Sequence, residues 1–408
     1  MNLNQKLEAG VIFFLLALNE AHDQPRLLEN IVSIVYYAFL AYVILTKGKK
    51  LIYVATRDIF LLLFITLAIV SVLWSSNASA TINEYRFLIR TCLLGVYIAM
   101  RYTPKEQMRL FFWTYSMIVV ASFIVILFIP SYGISEKSSA WNGIYGHKQV
   151  FGRNLGLAIS LFMTNFLVTN KQKTYHQLMS AIFIVITLIL IIFSESKTSL
   201  ILFIFSLSMT FALKVIKPNK YGIILLMALI FVFSIITIFV AINYEYILVD
   251  VLGKDVELNG RLPLWQLSIN KGLEQPWLGY GYNGFWTANV SDIVINNTWA
   301  RGNYRDRSVS IFHAHNGLID IFLQMGLVGL LLFTLSIFSM TKKIFTMIIL
   351  YKNIETFWML QFVSIFFIAN LSESNMIPSS SLFWMMYVST VLSSTLHLSR
   401  MQKQGKLI

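Results

Sequence analysis

Apolar residues in this chain arrive in blocks of about twenty, separated by short polar stretches. Roughly 20 helical residues cross the hydrocarbon core of a bilayer and satisfy their own backbone hydrogen bonds, so the pattern predicts membrane-crossing helices. The blocks mark about twelve spans, at 9–20, 31–46, 58–74, 86–100, 110–130, 150–169, 178–194, 197–216, 221–242, 318–340, 354–372 and 380–397. The first is short, but AGVIFFLLALNEAHDQ lacks a small-residue cleavage site and reads as a span rather than a signal peptide. The seventh and eighth meet at SESKTS, too short for a free loop, which predicts a tight polar turn or a re-entrant break. One segment, roughly 243–312, is much longer than the other connections, and loops of that length more often carry function than not. The expected fold is an all-α polytopic membrane protein, with residues 1–408 as one integral membrane domain and 243–312 as a long loop containing short helices.

Composition agrees with that pattern. The chain is 57% hydrophobic and 12% charged, and a soluble globular chain has about twice that share of charge. The net charge of +13 does not imply nucleic acid, because the basic residues punctuate loops and no Lys/Arg run alternates with aromatics. The single Cys92 excludes an intrachain disulfide and a cysteine-based zinc site.

Basic residues also orient the spans. With a cytoplasmic N-terminus, the inside loops collect clusters such as Lys47, Lys49, Lys50 and Arg57, or Lys214, Lys217 and Lys220. The short outside loops hold only Arg26, Arg86, Arg90, Lys137, Lys148, Arg153 and Lys197. The positive-inside rule therefore puts both termini in the cytoplasm and 243–312 outside. His147, Lys148, Arg153, Lys197, Arg261, His313, His315 and Glu373 then fall in one layer at the outer face, although they come from distant parts of the chain. Basic side chains gathered at membrane depth suggest an anionic ligand at headgroup level; the alternative is contact with the headgroups of ordinary membrane lipids.

Individual residues sharpen this expectation. Arg261, in NGRLPLW, can hold phosphate oxygens with its planar fork. GYGYNG matches GxGxxG through Gly279, Gly281 and Gly284, but it follows no strand and opens no βαβ unit. Its useful reading is a tight turn that lets backbone approach a neighbour or ligand. Lys197 lies between two apolar spans, where a charge needs a function or a partner such as Glu195. His313 and His315 are one residue apart, and on a helix they would point about 200° apart. Asp306 and Asp320 complete no recognisable ligand set with them, so no metal site is expected. His315 opens the helix NGLIDIFLQMGLVGLLLF, where the helix N-terminus disfavours imidazolium and leaves a neutral general base.

GRLPLWQLSINKGLEQPWLGYGYNGF followed by HAHNGLIDIFLQMGLVGLLLF resembles the C-terminal signature of the O-antigen polymerase and ligase superfamily. WNGIYGHKQVFGRNLG is similar to a Gly-His-Lys stretch of its exopolysaccharide-polymerase branch. The resemblance implies a GT-C-like fold and a metal-independent, cofactor-free glycosyltransferase. Its donor would be an undecaprenyl-diphosphate-linked oligosaccharide at the periplasmic face of the bacterial inner membrane. By position, His315 would activate the acceptor hydroxyl, and Arg261, Arg153 and Lys197 would bind the diphosphate. Lys197 stands where the family often has arginine, which keeps the charge but loses a bidentate clamp. His313, His147, Lys148, Glu373, Arg86 and Arg90 would be supporting residues.

Three functions are consistent with these features. A polymerase would join lipid-linked repeat units, with a chain-length regulator as a candidate partner. A ligase would move finished glycan onto lipid A-core or protein. A lipid-linked oligosaccharide transporter is disfavoured by the one-sided polar residues and the lack of a visible internal repeat.

Overall fold

The computed structural model describes residues 3–19, 26–136, 138–168, 174–215, 261–299, 301, 312–351, 354–372 and 381–403. Among these, regular structure is helical, and the one extended pairing is an isolated bridge between Ile134 and Trp141. The main helices are α1 (Leu3–Asn19), α2 (Arg26–Ala55), α3 (Ile59–Val70), α4 (Ala78–Arg101), α5 (Pro104–Phe128) and α6 (Lys148–Val168). They continue as α7 (Thr174–Phe193), α8 (Lys197–Val215), α9 (Arg261–Gly272), α10 (Gly317–Tyr351), α11 (Ile354–Ser372) and α12 (Leu382–Lys403).

Apolar blocks explain most of these elements. Among the described residues, six helices are long and apolar enough to cross a membrane, lying within α2, α5, α6, α7, α10 and α11. The apolar stretches of α3 and α8 are shorter, and α1, α4 and α12 are helical without reaching the same standard. The predicted span 221–242 and much of 243–312 lie outside the described residues. At SESKTS the chain makes a tight turn: α7 ends at Phe193, Glu195 is left-handed (φ 51°), and Ser196 Oγ accepts the Ser199 N–H.

Polar groups are sorted in the opposite sense to a water-soluble bundle. Exposed apolar side chains run along α2 (Ile34, Leu45, Ile52), α7 (Val185, Ile192) and α8 (Ile204, Phe211), while Gln361 is fully buried. Its Oε1 accepts from Thr164 Oγ1 (2.7 Å) and Ser160 Oγ (3.2 Å), and its Nε2 donates to Thr210 Oγ1 (3.2 Å), tying α6, α8 and α11 together. A lipid solvent offers no competing hydrogen bonds, so polar groups pair between helices and apolar ones face out. The chain is a multi-pass membrane protein. Small residues allow close approach: a Cβ on Gly152 would collide with Ser196 Oγ on the turn before α8, and one on Gly95 would come 2.8 Å from Val388 Cβ between α4 and α12.

Side-chain pairs also fix the directions of the helices. Lys343 Nζ donates to Asp58 Oδ2 (2.7 Å) and Thr395 Oγ1 (2.8 Å), joining the start of α3 to the later parts of α10 and α12. Phe64 meets Phe333 midway. The end of α3 therefore lies beside the start of α10, and α12 runs parallel to α10. Arg153 sits over the Phe383 ring (5.9 Å), which brings the start of α6 to that same end.

Candidate active site

At the shared end, α10 is not one continuous helix. Gly326 has φ 63° and ψ −163°, a conformation only glycine adopts readily, and this break frees backbone groups on both sides. The PWLGYG turn takes them up: Tyr280 N–H donates to Leu323 O (2.8 Å), Gly281 N–H to Gln324 O (2.9 Å) and Leu327 N–H to Pro276 O (2.7 Å). Non-helical backbone at membrane depth requires such pairing. Gly279 and Gly281 are left-handed (φ 66° and 88°), and a Cβ there would lie 2.6 Å from Leu323 O and 2.5 Å from Ser75 Cβ. The tight turn expected from GYGYNG is present, and the neighbours it approaches are the backbone of α10 and Ser75. Ser71 Oγ accepts the Tyr282 N–H (2.9 Å) and Tyr280 O accepts the Ser76 N–H (2.9 Å), fastening the turn to the α3–α4 connection.

This segment has its own apolar core of Leu264, Tyr280, Phe285, Trp286, Val294, Ile295, Phe312, Ala314 and Leu323. Burial, reinforced by the Glu274 carboxylate, pushes the Tyr280 phenol up to about 12, so it stays a donor, to Lys271 O at 2.8 Å. The predicted helix in LWQLSINKGL is present as α9, seated against α10 where a Cβ on Gly272 would collide with the Phe322 ring.

The histidine pair departs from its expected frame. Residues 312–316 are not helical, α10 begins at Gly317, and Asn316 is the cap, its Oδ1 accepting the Leu318 N–H (3.0 Å). His315 is left-handed (φ 52°), which cancels the 200° separation that helical geometry would impose. The two imidazoles instead lie 4.2 Å apart, and His313 Nδ1 accepts the His315 backbone N–H (3.2 Å). That bond puts the proton of neutral His313 on Nε2. Both rings are half-buried, and Trp299 and Phe312 complete an aromatic surround of His315 at 5.9 and 6.5 Å. Among the described residues no group of three or more His, Cys, Asp or Glu is arranged to hold a metal.

Arg261 is the first residue of α9, and Trp265 follows one turn later on the same face. Trp265 Nε1 donates to Ala314 O (2.8 Å), so the arginine helix is pinned to the peptide between the two histidines. The other basic residues gather where α6 and α8 begin. Lys148, from the GHK stretch, pairs with Glu195 at 3.6 Å. Arg153 is half-buried over Phe383, Lys197 is exposed, and exposed His147 contributes its carbonyl to the Phe151 N–H (3.0 Å). Arg86 is exposed beside Phe87 (4.7 Å), whereas Arg90 is buried against Tyr36 (4.6 Å) and Phe87 (5.0 Å). Glu373 lies outside the described residues. Three residues to which the sequence assigned no role shape this corner: Trp265, Trp286 and Asp320, the last weighed only as a metal ligand. Their signal was modest: indole N–H groups and a carboxylate beside an apolar run, each needing a partner when buried.

Comparison with known proteins adds a likeness. Residues 182–334 match the model of a family described as O-antigen ligase. A stretch of 89 residues, 22% of this chain, is 33% identical to the exopolysaccharide production protein ExoQ of Rhizobium meliloti (strain 1021), and it spans 20% of that protein's length. Both findings support the O-antigen polymerase and ligase superfamily. The family segment contains Lys197, Arg261, His313 and His315, while His147, Lys148 and Arg153 precede it.

Proposed function

We propose that this O-antigen-ligase-like chain is a membrane glycosyltransferase that takes glycan from an undecaprenyl-diphosphate donor at the periplasmic face of the inner membrane. It would polymerise repeat units of O-antigen or exopolysaccharide within a GT-C-like bundle of about twelve spans, both termini cytoplasmic. The observation that carries this reading is that Trp265 ties the Arg261 helix to the His313–His315 loop inside the family-matched segment.

In the proposed step the acceptor hydroxyl oxygen attacks the anomeric carbon while His315 takes its proton. The bond from the anomeric carbon to the diphosphate oxygen breaks, and the diphosphate leaves with the electron pair. Its developing charge is met by Arg261, Arg153 and Lys197, so no strong general acid is needed. Holding donor and acceptor side by side supplies much of the remaining acceleration. Direct attack inverts the anomeric centre, which NMR comparison of donor and product linkages tests; retention rules out the single displacement.

A second reading, transfer of glycan to lipid A-core or protein, is favoured by the description of the matched family. Purified protein given undecaprenyl-diphosphate-linked repeat units alone separates the two: product ladders mean polymerase. Transfer only after lipid A-core is added means ligase, and no covalent change with either defeats the transferase reading. His315→Asn is the sharpest variant, because asparagine tolerates the left-handed backbone of this position while lacking the base. Transfer falls about 100- to 10,000-fold with expression intact; near-parental activity removes His315 as the base.

A further inference from the structure

Asp320 lies in the first turn of α10 and is 5% exposed, at the threshold of an apolar span. A carboxylate there is costly to bury unless its oxygens are hydrogen-bonded. Its donors include Trp286 and Ala314. Trp286 Nε1 donates to Oδ1 at 2.6 Å, and the Ala314 N–H lies 3.2 Å from Oδ1 and 3.1 Å from Oδ2. The carbonyl of the same residue accepts from Trp265 Nε1 at 2.8 Å. Ala314, fully buried, is thus gripped through both of its backbone polar groups, between the two histidines.

The residue that follows is in a strained conformation. His315 at φ 52° is disfavoured for an L side chain, and such a backbone persists only where the surroundings over-determine it. We propose that Asp320 is the positioning residue of the histidine loop, acting through the Ala314 peptide to hold His315 left-handed and its imidazole beside that of His313. The carboxylate meets no substrate in this role. Trp286 braces it, and Trp265 holds the other side of the peptide, so the loop registers the placement of α9 and Arg261 as well. The catalytic part of this inference rests on His315 being the base; the clamp itself does not.

The test uses the full chain in lipid nanodiscs, with hydrogen–deuterium exchange over 312–319 and transfer from an undecaprenyl-diphosphate-linked repeat oligosaccharide. In Asp320→Ala, exchange at the Ala314 and His315 amides rises at least about tenfold, kcat falls about 100-fold and donor KM stays within about twofold. Asp320→Asn, which keeps one acceptor oxygen, falls about tenfold. Trp265→Phe shows the same pattern more weakly and decides the matter if Asp320→Ala does not fold. Added to His315→Asn, the Asp320→Ala change lowers the residual rate no further. Unchanged exchange in Asp320→Ala, or in Trp265→Phe in its place, overturns the clamp. Raised exchange with unchanged kcat, or a loss expressed in KM alone, overturns the positioning role. Full activity in His315→Asn instead overturns the base assignment, and the exchange data then judge the clamp by themselves.

Discussion

At Gly326 one residue decides how a membrane helix can carry a site. Its backbone lies in a region essentially closed to L side chains, and a Cβ there would strike the Trp277 carbonyl oxygen and carbon. Gly326→Ala should cost about 1–3 kcal/mol from backbone strain alone, with the collision added. Thermal unfolding of the detergent-solubilised protein measures it. Gly10→Ala, which meets nothing within 4 Å, is the control and should be neutral or slightly stabilising. Equal melting temperatures for the two variants would contradict the account of the break. The presence of glycines here was readable in GLVG and GYGYNG; their mutual contact was not, because it joins backbone separated by more than forty residues.

At the scale of elements, buried polar knots set the order of the helices. The Asp58–Lys343 pair joins α3 to α10, and the Asp58 side chain is only 1% exposed while its Oδ1 caps α3 at Leu61 N–H. Lys343→Met leaves that carboxylate buried without its cation and should cost about 3–5 kcal/mol, toward the lower end because Lys343 itself keeps some exposure. Asp58→Asn combined with Lys343→Met should recover part of the loss; no recovery in the melting temperature would mean the pair is not coupled. Neither partner stood out in the sequence. Asp58 opens the predicted span 58–74, and Lys343 lies just beyond the span 318–340. The apolar blocks were legible because each must satisfy its own backbone, whereas the pairing of blocks depends on which polar groups meet.

At the scale of the whole molecule, one end of the bundle carries the break in α10, the histidine loop and the starts of α6 and α8. The Asp58–Lys343 end is opposite. If the first end is periplasmic, a cysteine at exposed Glu136 reacts with an impermeant maleimide in intact cells, and one at exposed Lys49 reacts only after permeabilisation. Native Cys92 is buried and should contribute little background. The reverse labelling pattern would invert the topology and the proposed sidedness of transfer.

The sequence by itself determined that this is a helical membrane protein, because twenty-residue apolar blocks have few other ways to satisfy backbone in lipid. It also pointed to the histidine loop and the arginine helix as the chemical part of the chain. Tertiary structure alone decided that His313 and His315 are ring neighbours, since a left-handed residue replaces the helical frame that their spacing suggested. It likewise decided that Ala314 is held by Asp320 and Trp265, which are six and forty-nine residues away. Periodicity reports which way a side chain points along its own helix. A buried carboxylate or an indole N–H finds its partner across the fold, and no local pattern records that choice.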